Sequence, residues 1–290
     1  MIRAALALVL ACWLLSGCAP DARPIPPGRP ALWVIEDAAG DTAGWLFGTI
    51  HALPDAAQWR TPALEQAIAQ AGELVVEVRD LDPARVAAAF AALSQDRPGP
   101  PLAQRLAPDA RADLAEVLAR EGVSAAPYDR LETWAAALAL ARLGDGAGSE
   151  NGVDRALLAQ FGPRPVRELE GAEEQLAIFD RLPERDQRVL LAAVIEEERG
   201  GEDQAADLAG AWLAGDIARM ERLMRRGMLA DPALYEALLA RRNRAWAAQL
   251  AAVLDAKRRS LVAVGAAHML GPDGLPALLA ARGYRIRRIQ

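Results

Sequence analysis

The sequence predicts an α/β domain whose central sheet is built from the N- and C-terminal segments, with a large, mainly helical insertion between them. Three observations predict it. Short β-prone runs lie towards the two ends of the chain, at 32–36, 45–50, 73–78, 261–264 and 284–289. Between them, leucine, alanine and valine recur at helical spacing over most of 83–257. The run Glu73-Leu-Val-Val-Glu77-Val78 is almost wholly apolar, the pattern of a strand covered on both faces.

The first thirty residues stand apart from this domain. Arg3, an apolar run from Ala4 to Leu15 and the small pair Ser16-Gly17 precede Cys18, the layout of a cleaved secretory signal over 1–17. That run is shorter than the about 20 apolar residues of a permanent membrane span. Leu15-Ser-Gly-Cys18 resembles the bacterial lipobox, which implies lipidation of Cys18 after cleavage. Several acyl chains anchor stably where one is marginal. Ala19 is not the aspartate that retains enterobacterial lipoproteins in the inner membrane, so the expected location is the outer membrane, facing the periplasm. Residues 18–30, the cysteine and a proline-rich run, read as a semi-rigid tether, and 31–290 as the domain.

Within the domain, 32–36 and 45–50 read as a hairpin around AAGDTAG, and Thr61-Pro62 as the capped start of a helix over 62–71. The strand 73–78 comes next, and Asp82-Pro83 opens the insertion over 83–257. Its helices are expected at 83–95, 108–120, 131–143 and 152–160, then 173–198 with a break near Pro183, then 203–214, 216–227 and 232–257. A strand is expected at 165–169, and 261–264, 272–281 and 284–289 close the domain as strand, helix and strand. The stretch at 144–152, GDGAGSENG, comes after a helix and lacks a lysine, so it reads as a loop and not as a phosphate cradle.

Composition narrows the chemistry. The net charge of −6 offers neither a nucleic-acid surface nor a polybasic membrane patch, so membrane contact is expected through the lipid alone. Of two cysteines, Cys12 leaves with the signal and Cys18 is acylated, which leaves no disulfide and no thiol nucleophile. The Gly-x-Ser-x-Gly, His-Glu-x-x-His and P-loop patterns are all absent.

Only two histidines occur, His51 and His268, and each closes a Gly-x-x-His at the end of an expected strand, with Gly48 and Gly265 as the glycines. With 23 glycines in 290 residues, random placement gives this match with a frequency of roughly 0.6 per cent; chance explains it poorly. In open α/β sheets, ligands collect beyond the carboxyl ends of the strands, where both imidazoles would project and could share a metal. Glu77 is the candidate third group, because an acid in an apolar strand needs a partner unless that strand is an edge facing water.

These motifs, with Gly271, Gly274 and Gly283-Tyr284, resemble the TraB/PrgY/GumN family, whose relatives include the Tiki proteases. Gly152-Val-Asp154, Leu169-Glu170, Gln175 and Arg242-Asn243-Arg-Ala-Trp246 are consistent with it. The resemblance covers about 31–289 and implies that His51, His268 and Glu77 form a metal-dependent, peptide-cleaving site. It favours manganese or cobalt, with zinc as a further divalent ion, and implies a peptide or protein of the envelope as substrate. Arg242 and Asn243 are implied as a substrate anchor and a hydrogen-bonding group. Gly171 stands where the family has threonine, and no role is carried over to it.

Such a site polarises a carbonyl and activates water while a carboxylate takes the proton. Glu77 is either ligand or base, and Asp154 and Glu170 are candidates for the other role. Two other classes compete. One is a periplasmic protein whose histidines hold haem or a metal without chemistry; the other is an envelope scaffold that docks through its helical insertion.

Overall fold

The computed structural model describes residues 27–50, 53, 57–94, 99–143 and 152–290, with backbone alone at 201–204. Residues 1–26 with Cys18, His51 and residues 144–151 of the glycine-rich stretch lie outside the described residues.

The strands are β1 (Leu32–Glu36), β2 (Thr42–Thr49), β3 (Glu73–Val76), β4 (Val166–Glu168), β5 (Ser260–Gly265) and β6 (Arg285–Arg288). They form one sheet in the order β4-β3-β5-β2-β1-β6. β1 and β2 make the expected hairpin. Asp37 Oδ1 accepts the N–H groups of Ala39 and Asp41, and Gly40 takes φ +87°, a turn built by an aspartate and a glycine. β1 is antiparallel to β2 and β6, whereas β4, β3, β5 and β2 run parallel. Four carboxyl ends therefore emerge along one edge of the sheet.

The strands alternate between two cores, as a period of two requires. Leu32, Val34, Trp45, Phe47, Leu74, Val76, Leu261 and Ala263 face one core; Trp33, Ile35, Leu46, Val75, Val262 and Val264 face the other. Helices cover both faces. On the first lie α1 (Pro62–Gln70), started by Pro62 and capped by Thr61, whose Oγ1 accepts the Leu64 N–H, and α6 (Val153–Phe161). On the second lie α11 (Arg241–Asp255) and α12 (Leu275–Ala280). Leu261→Ala, at a fully buried position of β5, would cost about 2–5 kcal/mol.

The other helices are α2 (Pro83–Leu93), α3 (Pro108–Arg120), α4 (Ala126–Asp129), α5 (Thr133–Ala141), α7 (Ala172–Asp180), α8 (Glu184–Leu213), α9 (Ile217–Met224) and α10 (Pro232–Tyr235). A third core, entirely helical, joins α3, α5, α10 and the first half of α8. The end of α8 returns to the sheet through Ala209, Ala211 and Trp212. Its 30 residues make a helix about 45 Å long, and that length ties the helical core to the sheet core.

Among the elements that differ from the sequence expectation, three are helical. The break expected between 198 and 203 does not occur: α8 runs through Gly200-Gly201, because burial at both ends outweighs the weak local preference of glycine. The single helix expected over 232–257 contains a π turn at Glu236–Ala240, closed by the Arg241 N–H donating to Glu236 O. The closing helix starts at Leu275 instead of 272, and a 3₁₀ turn, Ala266–Met269, precedes it. At the other end, residues 28–30 pack into the domain: the N–H groups of Gly28 and Arg29 donate to Gln58 O and Leu213 O, and Gln290 Nε2 donates to Pro30 O.

Candidate functional site

The site lies along the carboxyl edge. β5 ends at Gly265, and the 3₁₀ turn after it carries His268, which is buried. β3 ends at Val76, so Glu77 sits just past the strand and not inside it. The register that pairs Val76 with Ala263 sets Glu77 beside the end of β5. Glu77 Oε1 accepts the Gly265 N–H at 2.7 Å, and His268 Nε2 lies 3.8 Å from the same oxygen. A Cβ on Gly265 would stand 3.1 Å from Glu77 Oε1 and 3.7 Å from the His268 ring. The glycine thus opens the space in which the two side chains meet.

The second oxygen of Glu77 accepts from Gln175 Nε2 on α7 at 3.0 Å and from Arg242 Nη2 on α11 at 2.9 Å. Arg242 also binds Glu170, through Nε at 3.1 and 3.2 Å and through Nη2 at 2.9 Å. Its Nη1 donates to Leu238 O and stands 3.3 Å from His268 Nε2. Glu170, just past β4, donates its N–H to Glu77 O and accepts the Trp246 indole N–H at 3.0 Å. One guanidinium thus brackets two carboxylates delivered by neighbouring parallel strands, the arrangement that makes a buried charge tolerable.

Asn243 is fully buried. Its Nδ2 donates to Asp273 O at 2.7 Å and its Oδ1 lies 2.5 Å from His268 Nδ1. Trp246 packs against the imidazole with the rings tilted by 40° and 4.4 Å between centroids, and the Arg242 guanidinium lies 4.6 Å from the indole centroid. The π turn explains how one helix serves all of this. An extra residue in a helical turn rotates the downstream side chains by about 100°, and here that rotation brings Arg242, Asn243 and Trp246 onto the face that meets the sheet edge.

The sequence-derived site is brought together in part. Glu77, His268, Arg242, Asn243 and Glu170 meet, and Gly265 borders them. Gly48 serves differently: its carbonyl accepts the Trp212 indole N–H at 2.8 Å, and a Cβ there would stand 3.0 Å from Ala266 Cα. Thr49, paired with Gly265 across β2 and β5, is buried with its hydroxyl unpartnered among the described residues. Asp154 lies in the first turn of α6, whose Val153 N–H donates to Ile50 O. His51 and Cys18 lie outside the described residues. Among the described residues, no three His, Cys, Asp or Glu side chains form a group that could hold a metal.

Arg242 and Asn243, expected to meet substrate, have their polar groups engaged inside the chain. Asp273, the π turn and the 3₁₀ turn entered no sequence expectation. Asp273 contributes through its backbone carbonyl, which leaves no mark on residue type. Burial by the surrounding turns pushes the neighbouring Tyr235 hydroxyl pKa up, and so does its hydrogen bond to Asp273.

No helix among the described residues is long and apolar enough to cross a membrane, and no solved structure matches the chain. The uncharacterized protein YbaP of Escherichia coli (strain K12) is 28% identical over 183 residues, which is 61% of this chain and 67% of that protein. The protein of the same name from Shigella flexneri matches to the same extent. The model of the TraB/PrgY/gumN family matches residues 31–288, nearly the whole described domain, and the chain therefore belongs to that family.

Proposed function

We propose that the protein is a metal-dependent, peptidase-like hydrolase of the cell envelope, working at the carboxyl edge on a peptide or protein substrate. The observation that carries this reading is the approach of His268 Nε2 to Glu77 Oε1, 3.8 Å apart, with both side chains held from behind. The donor chemistry fits a divalent transition metal: an imidazole nitrogen and a carboxylate oxygen suit manganese, cobalt or zinc. The His268 nitrogen turned away from Glu77 meets Asn243, the outer-shell support that metal-bound histidines need. His51 is the proposed third ligand. A bound metal would polarise a scissile carbonyl and acidify water.

The chain's own groups divide the remaining work. Glu77 accepts three N–H donors, which favours it as an anionic holder over a mobile base. Arg242 holds Glu77 and Glu170 side by side, with one guanidinium nitrogen 2.9 Å from an oxygen of each. Lipidation at Cys18 and a location on the outer membrane, facing the periplasm, complete the proposal and rest on the lipobox.

The test uses residues 19–290, made without the lipid, loaded in turn with manganese, cobalt and zinc and presented with a peptide library. The expected result is cleavage that a chelator abolishes and His268→Ala lowers by at least about 100-fold. Cleavage that survives both treatments would overturn the assignment.

A further inference from the structure

For its purpose this inference rests on the hydrolase reading, but its geometry does not: we propose that Asn243 is a positioning residue that holds His268 as the Nδ1–H tautomer, keeping the Nε2 lone pair on the Glu77 side. Two independent constraints lead there. Asp273 O is a backbone carbonyl and only accepts, so the Asn243 atom 2.7 Å from it must be the amide nitrogen. That orientation leaves Oδ1, which also only accepts, facing His268 Nδ1 at 2.5 Å, so Nδ1 carries the proton. The second constraint comes from Arg242. A guanidinium only donates, and its Nη1 lies 3.3 Å from Nε2, so Nε2 is the accepting atom.

The surroundings hold this state in place. The Tyr235 hydroxyl donates to Asp273 Oδ2 at 3.1 Å and steadies the turn whose carbonyl orients the amide. Trp246 packs on the imidazole, and a flipped ring would exchange Nδ1 for a carbon and lose the Asn243 bond. A neutral amide also supplies an acceptor without adding a third carboxylate to Glu77 and Glu170. A neutral histidine side chain in water prefers its proton on Nε2, so the protein inverts the ordinary tautomer. The consequence is that the ring nitrogen carrying the lone pair is the one beside Glu77, where it accepts from Arg242 and where a metal would take that donor's place.

The chain has two histidines, so His51→Gln leaves His268 as the only imidazole, and ¹⁵N-histidine NMR reads its tautomer directly. The spectrum is recorded on chelator-treated protein, residues 19–290, at about pH 8, above the ordinary imidazole range. The expected spectrum has a protonated Nδ1 and an unprotonated Nε2. Asn243→Ala on the same background should shift population to the Nε2–H form, and Asn243→Asp, which keeps an acceptor, should restore Nδ1–H. A predominant Nε2–H form before any change at 243 overturns the inference and needs no further variant. An Asn243→Ala spectrum still wholly Nδ1–H would assign the tautomer to Arg242 alone and also overturn it. Absence of peptide cleavage would sink the hydrolase reading and leave this spectrum unchanged, so the two failures are distinguishable.

Discussion

Glu73 and Glu77 stand four residues apart, at opposite ends of β3, and they do different work. Glu73, at the amino end, is 2% exposed and accepts one hydroxyl, Ser260 Oγ at 2.8 Å, while the Arg167 guanidinium stays 3.9 Å away. Its partner lies directly opposite in the register of β5, so the pair is a rivet between two strands. Glu77, at the carboxyl end, accepts from β5, α7 and α11 at once and lies beside an imidazole. A carboxylate closed by one neutral donor fixes a register. A carboxylate shared among three elements and a histidine fixes the relative placement of side chains, which is what a site needs.

The largest test of this contrast is Arg242→Met, which leaves the part-buried Glu77 and Glu170 side by side without their cation. We expect a loss of about 3 kcal/mol in urea unfolding, the low end for a broken buried pair, because these side chains keep some contact with solvent. A loss under about 1 kcal/mol would mean that the bracket is not what makes the edge tolerable. Next comes the amino end. A Cβ on Gly44 would lie 2.3 Å from the backbone carbonyl of Ser260, so Gly44→Ala forces β2 and β5 apart. Its expected cost is about 2–3 kcal/mol, with metal binding per folded chain unaltered.

Ser260→Ala is expected to cost about 1–2 kcal/mol by leaving Glu73 without its hydroxyl donor, again without effect on the site. The smallest stability change is expected for Gly265→Ala, under about 1 kcal/mol. Its Cβ would press on Glu77 and His268 side-chain atoms at 3.1 and 3.7 Å and not on backbone. Metal affinity, measured by titration, should nevertheless fall about 10-fold or more. A Gly265→Ala protein that binds metal like the wild type would erase the functional difference between the two edges.

Much of this edge was legible in the sequence because its determinants are local. Gly265 and His268 share one motif, Glu77 is the acid in an otherwise apolar run, and strand-to-turn transitions are marked by residue type. Thr61 and Asp82 likewise announced the helix caps they form. The features that stayed illegible depend on tertiary register. The π turn has no composition of its own: Glu236–Ala240 reads as ordinary helix, yet it decides which face Arg242 and Asn243 present. Both residues were expected to face substrate, a surface role, and only packing shows their polar atoms turned inward. The continuity of α8 through two glycines escaped local reasoning for a related reason, since its two halves are held by different cores.

The most direct test of the central claim compares bound metal in Glu77→Gln and Glu73→Gln, two isosteric changes at the two ends of β3, by mass spectrometry of residues 19–290. We predict about one transition metal per chain in the wild type and in Glu73→Gln, and its loss in Glu77→Gln. Equal metal in both variants, or none in the wild type when manganese, cobalt and zinc are supplied, would contradict that claim.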